Sequence, residues 1–206
     1  MNHAPTFFEE EKLKAQGYQL VAGIDEVGRG PLAGPVVAAA VILPLGDDIS
    51  WLFQVRDSKQ LTPLKRDRLS IYIQRDALAI GIGVVPPDVI DAHGIVAATR
   101  LAMSYAVGSL NLVPDYLLID AVRLPDLELP QKSIIKGDTL SISIAAASIV
   151  AKVTRDRLMV ELDAFFPGYG LARNKGYPTS EHLEQLRCMG ACPIHRKSFA
   201  PVRNVV

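Results

Sequence analysis

Two apolar runs, LVAGID at residues 20–25 and PVVAAAVIL at 35–43, stand about nine residues apart, and that gap decides how they can pair. A helical crossover between parallel strands needs about a dozen residues or more, so the two runs are expected to be antiparallel neighbours. Val, Ile and the following Pro44 mark the second run as a buried strand. The connection between them reads DEVGRGPLAG. Successive strand residues face opposite sides, so Asp25 and Glu26 converge on one ion only where the strand ends and the chain turns. Gly28 and Gly30 are expected to make that turn and to bring backbone N–H groups up to an anion, with Arg29 between them as a planar fork for phosphate oxygens. Acids to hold a metal beside donors to hold a phosphate suggest a nuclease. The same residue types also fit an ordinary glycine turn with solvated acids. The dinucleotide fingerprint fits poorly, because its third glycine arrives one position late at Gly34 and a strand follows where a helix is needed.

The opening theme recurs twice. DYLLID at 115–120 and SIIKGD at 133–138 are apolar runs ending in a carboxylate, Asp120 and Asp138. Between the first hairpin and these runs, TPLKRDRLSIYIQRD at 62–76 predicts a helix with Leu64, Leu69, Ile71 and Ile73 on its apolar face, and LAIGIGVVP at 78–86 predicts a strand. A second helix starts near Asp88 or Ile95 and ends at Gly108, with Thr99, Arg100 and Ser104 outward and Pro114 barring continuation. A helix-bearing connection lets 115–120 lie parallel beside 20–25, which brings Asp120 to the edge that carries Asp25. The longest helix is expected over 140–163, where Ala145, Ala146, Ala147 and Ser148 permit close packing, and a short one over 179–189.

Carboxylates at 25, 26, 120 and 138 in one crevice repel unless cations neutralise them, and hard oxygen ligands favour Mg²⁺ or Mn²⁺. Two such ions activate a water and stabilise the leaving oxygen of a phosphodiester. Asp156, in an Arg-Asp pair on the long helix, is an alternative to Asp138 as the fourth acid. His3, His93, His182 and His195 lack ligand spacing and read as surface or packing residues.

At 206 residues and 49% hydrophobic the chain suits one well-buried core. No run reaches the roughly 18 uncharged apolar residues of a membrane span, and the acidic N-terminus is unlike a secretion signal, so a cytoplasmic location is expected. Cys188 and Cys192 read as incidental thiols. The formal net charge is zero, yet residues 151–206 hold nine Lys and Arg against five Asp and Glu. A basic C-terminal part facing acids suits a polyanion bridged by divalent cations.

Seven ordered blocks carry a family resemblance: DEVGRGPLAG at 25–34, DSK at 57–59, LLID at 117–120, KGD at 136–138, SIAAASIVAKVTRD at 143–156, NKGYPT at 174–179 and HRKSF at 195–199. Together they resemble bacterial ribonuclease HII, over roughly residues 20–202. The resemblance implies an α/β, ribonuclease H-like fold: a mixed five-stranded sheet flanked by helices, with a helical C-terminal part. It implies one catalytic domain over 1–206, with a core at about 18–165 and a substrate-binding part at about 166–206. The implied activity is cleavage of RNA in RNA–DNA hybrids and on the 5′ side of single ribonucleotides in duplex DNA, by a monomer using Mn²⁺ or Mg²⁺. Asp25, Glu26, Asp120 and Asp138 match the family's metal-binding carboxylates, and Gly28, Arg29 and Gly30 its ribonucleotide-recognising loop. Tyr177 matches the tyrosine that packs on the sugar at the RNA-to-DNA junction, and Lys59 and Arg196 are expected phosphate contacts. A 2′-hydroxyl is what tells RNA from DNA at one site, and a ring pressed on the next sugar disfavours a hydroxyl there. Gly94 stands where the family pattern commonly has asparagine, which bears on the packing of the helix around it.

Overall fold

The computed structural model describes residues 4–45, 50–56 and 58–205, without the side chain of Lys59. In chain order the main elements are α1 (Phe8–Ala15), β1 (Val21–Val27), β2 (Val36–Ile42), α2 (Pro63–Asp76), β3 (Ala79–Val85), α3 (Pro87–Gly108), β4 (Tyr116–Asp120), β5 (Gln131–Ile134), α4 (Ile142–Phe165), α5 (Leu171–Asn174), α6 (Ser180–Met189) and α7 (Ala200–Arg203). The five strands form one sheet in the order β3-β2-β1-β4-β5. β2 lies antiparallel to both β1 and β3, while β4 runs parallel to β1 and β5 parallel to β4. The hairpin expected from the short first connection and the parallel return expected from the later helix are therefore both present.

Both faces of the sheet are covered, which is why β2 is apolar at every position. Ala38, Ala40 and Ile42 turn to one face and pack with Ala102, Met103 and Ala106 of α3. Ala39 and Val41 turn to the other, against Ala146 and Ile149 of α4 and Leu69 and Ile73 of α2. Truncating Ile149, fully buried there, removes packing worth about 2–5 kcal/mol. The small residues of α4 let it lie almost on the backbone of β1: a Cβ on Gly23 would stand 2.1 Å from the carbonyl carbon of Ser143. That close approach holds the end of β1 against α4.

Helix starts follow their caps. Thr62 accepts from the N–H of Lys65 with Pro63 in the first turn, Ser141 from that of Ile144, and Thr179 from that of His182. α1, which the sequence reading left unassigned, is tied to the α4 cap by buried Glu10, whose Oε1 accepts from the Ser141 hydroxyl at 2.6 Å and the Ser143 N–H at 3.0 Å.

Four expectations change, and a fifth, left between two starts, is resolved. β1 does not end at the acids but continues to Val27, still paired with β2 through Glu26 and Val27. Thr99 faces inward, because its hydroxyl is satisfied by the Ile95 carbonyl one turn back at 2.8 Å. In α2 only Leu69 and Ile73 are buried, while Leu64 and Ile71 are exposed. Asp138 does not close a strand: β5 stops at Ile134, Lys136 takes a left-handed φ of 57°, and Asp138 sits in a 3-10 turn over residues 137–139. α3 bends at Gly94 (φ 79°, ψ 160°), so both starts read from the sequence are real, one on each side of the break.

Candidate active site

β1 pairs with β4 only as far as Ile24, opposite Ile119. One residue beyond that last pair, Asp25 and Asp120 come level, and Glu26 follows along β1. Asp25 is buried, and burial, then the neighbouring Glu26 and Asp120, hold its carboxyl well above the ordinary carboxylate range. Its Oδ1 accepts the Glu26 N–H at 2.7 Å, and the Ser148 hydroxyl on α4 also supports it. Burial raises Glu26 too, outweighing Arg29, whose guanidinium reaches Oε1 at 3.3 Å. Glu26 Oε2 is buried with no hydrogen-bond partner. Asp120 Oδ1 accepts the N–H of Gly137 at 2.7 Å, which ties the edge of β4 to the turn that carries buried Asp138.

Three acids are thus brought together electrostatically, and the fourth follows Gly137, the residue whose N–H reaches Asp120. Asp156 is instead held on α4 by Lys152, 2.7 Å away, with Arg66 4.0 Å from its other oxygen. Among the described residues no three His, Cys, Asp or Glu side chains stand ready as a metal-holding group. One oxygen of each of three carboxylates is engaged by a local donor: Asp25 by the Glu26 N–H, Glu26 by Arg29 and Asp120 by the Gly137 N–H. The donor chemistry still fits a hard divalent cation, since it is all oxygen and includes the orphaned Glu26 Oε2.

Beyond the acids, the chain turns at Gly28, whose φ of 93° favours glycine and whose Cβ would stand 2.3 Å from Arg155 Nε. Two fully buried arginines lie beneath this loop. Arg155 donates to the carbonyls of Ala33, Pro35 and Lys175 at 2.9–3.1 Å. Arg196 donates to those of Gly28, Arg29 and Gly34 at 2.6–3.1 Å. A trans peptide points its C=O and the following N–H in opposite directions. With the Gly28 and Arg29 carbonyls committed to Arg196, the N–H groups of Arg29 and Gly30 are turned away from it. Burial pulls Arg155 down to about 10 and Arg196 to about 9, which leaves both charged at neutral pH beneath the loop.

The remaining predicted residues fall unevenly around this loop. Arg29 and Gly30 are exposed, and Tyr177 is 39% exposed. A Cβ on Gly30 would meet only the Tyr177 ring, at 3.8 Å, so Gly30 leaves room before the ring and does not make the turn; Gly34, at φ 82°, does. Arg196 is not an exposed phosphate contact, because its guanidinium is wholly spent on the loop's carbonyls. Asp57 and His3 lie outside the described residues, as does the Lys59 side chain. His182 and His195 are buried against each other, while His93 is exposed. Arg155 was missed as a loop support: an Arg-Asp pair suggests an ion pair on a helix surface, and only the fold shows the arginine turning inward.

The ribonuclease HII family profile matches residues 22–202 of the chain. A ribonuclease HII of Dehalococcoides mccartyi is 53% identical over 201 residues, covering 98% of this chain and 95% of that one. One of Listeria monocytogenes is 57% identical over 195 residues, covering 95% and 73%. Among solved structures, ribonuclease H2 of Pyrococcus horikoshii superposes with a TM-score of 0.75 at 29% identity, over 91% of this chain and 97% of that one. A Bst-RNase HIII in complex with Mn²⁺ shares the fold, with a TM-score of 0.66 at 20% identity, over 91% of this chain and 69% of that one.

Proposed function

The chain belongs to the ribonuclease HII family, and from that premise we propose that it incises duplex DNA on the 5′ side of a single embedded ribonucleotide, leaving 3′-hydroxyl and 5′-phosphate ends. Membership makes it a ribonuclease H, an endonuclease acting on RNA–DNA hybrids. One observation supports the finer reading above others: the outward N–H groups of Arg29 and Gly30 stand beside the acid edge, so a sugar can be read where the bond is cut.

Asp25, Glu26, Asp120 and Asp138 would hold Mg²⁺ or Mn²⁺, and Glu26 Oε2 supplies a buried oxygen for that purpose. When bound, a pair of such ions supplies an activated water and stabilises charge on the leaving oxygen. The chain's own residues do the rest. The Arg29 and Gly30 N–H groups donate to the 2′-hydroxyl and the adjoining phosphate, contacts that a deoxyribose cannot complete. Arg29, 45% exposed, is able to leave Glu26 for a phosphate oxygen. Tyr177 packs on the next sugar and disfavours a hydroxyl there. Lys59 serves a flanking phosphate.

The test is a DNA duplex with one internal ribonucleotide, compared with all-DNA duplex and a long hybrid, in Mg²⁺ and then Mn²⁺. A single nick 5′ of the ribonucleotide is expected, with the ends read by mass. Cleavage of the long hybrid without that nick would overturn the single-ribonucleotide reading.

A further inference from the structure

His182 of α6 and His195 are buried side chains that the proposed chemistry does not use. Their Nε2 atoms lie 3.1 Å apart, so one proton is shared across that contact. The outer contacts fix which ring carries it. His195 Nδ1 faces the Cys192 N–H at 3.1 Å, which can only donate, so Nδ1 is bare and Nε2 bears the hydrogen. His182 Nδ1 faces the Tyr177 carbonyl at 2.9 Å, which can only accept, so Nδ1 bears the hydrogen and Nε2 is the acceptor. Every position in the relay is filled with both rings neutral, and an added proton on either ring sets two donors face to face.

The relay joins both margins of the glycine loop. At one end Tyr177 follows Gly176, whose carbonyl accepts the Leu32 N–H at 2.8 Å. At the other, His195 bridges antiparallel to Ala33, with Gly34 N–H on Ile194 O at 2.9 Å and Arg196 N–H on Leu32 O at 2.8 Å. We propose that His182 and His195 are positioning residues for sugar recognition: a fixed-tautomer pair that sets where the Tyr177 ring stands over Gly30. This rests on the reading of Tyr177 as the sugar-facing ring. Burial lowers both imidazoles, His195 to about 4 with the neighbouring His182 as the second cause, in the direction of the neutral pair that the contacts require. The Tyr169 ring stands edge-on to His195 at 4.8 Å and Cys192 Sγ lies 3.1 Å from its Nδ1; burial raises both groups, which favours their neutral forms.

Nitrogen-15 spectra of the intact protein at pH 6 test the assignment directly. One imidazole is expected as the Nδ1–H tautomer and one as Nε2–H, both neutral; two like tautomers or a protonated ring overturn the proposal. Function is tested by the ratio of kcat/KM on the single-ribonucleotide duplex to that on a uniform hybrid. His182→Leu is expected to lower this ratio about tenfold, His182→Asn, which keeps a donor for the Tyr177 carbonyl, to restore most of it, and His182→Leu to add nothing once Tyr177→Ala is present. If His182→Leu melts like the parent and leaves the ratio unmoved while Tyr177→Ala shifts it, the relay is refuted and the reading of Tyr177 stands. An unmoved ratio in Tyr177→Ala refutes both. Should His182→Leu not fold, the tautomers decide.

Discussion

The acid edge and the glycine loop are consecutive in sequence and treat charge in opposite ways. At the edge, buried Asp25 and partly buried Glu26 stand beside Asp120, repel one another, and leave Glu26 Oε2 without a hydrogen-bond partner. Under the loop, Arg155 and Arg196 are fully buried, yet their seven hydrogen bonds all end on main-chain carbonyls. Charge that the fold does not compensate costs stability and is available for chemistry; charge the fold has fully absorbed builds shape. A region of each kind, side by side, matches the division between cutting and recognising proposed above.

Substitutions that affect the two regions differently would sharpen or break that contrast. The largest effect is expected from Asp120→Asn: cleavage falls by roughly a thousandfold or more, while melting temperature and duplex affinity hold, since asparagine still accepts from the Gly137 N–H. A variant that cuts normally removes Asp120 from the site. Arg196→Met should do the reverse, stranding carbonyls in a buried setting at a cost of about 3 kcal/mol, or roughly 6–12 °C in a calorimetric scan of a chain this size. An unshifted transition would mean that the loop holds itself. Asp25→Asn removes a buried repelling charge, so stability at neutral pH without divalent ions should rise by on the order of 1 kcal/mol even as cleavage is lost. A lower melting point there would show the edge to be compensated after all.

The remaining effect is in pH. His195 falls from the ordinary imidazole value of 6.5 to about 4, so between those values the unfolded chain binds more protons than the folded one. The stability this contributes is present above pH 6.5 and lost as the pH falls toward 4, and denaturant titrations of His195→Gln should show a flatter profile across that window. The same slope in parent and variant would place the acid sensitivity elsewhere.

The hairpin, the parallel return of β4 and the meeting of Asp25 with Asp120 were legible because each follows from strand length and connection length. What escaped depends on atoms far apart in sequence. Nothing in HRKSF says that Arg196 will donate to Gly28, 168 positions earlier, so exposure was the natural expectation for an arginine. Asp138 was placed at a strand end because the left-handed turn falls on Lys136, a residue that rarely adopts it, and not on the adjacent Gly137. Thr99 misled for a related reason: its polar group is satisfied within its own helix, and amphipathic patterning counts it as polar.

The loop's inward carbonyls have a consequence for how this protein can change. Peptide groups are the same whatever residue bears them, so exchanging side chains at Arg29 or Pro31 leaves the outward N–H pair in place. What can move that pair is the two guanidiniums underneath, supplied by α4 and by the segment before α7. On the function proposed above, substitutions that never touch the nucleic acid can retune the sugar preference as well as substitutions of the Tyr177 ring that does.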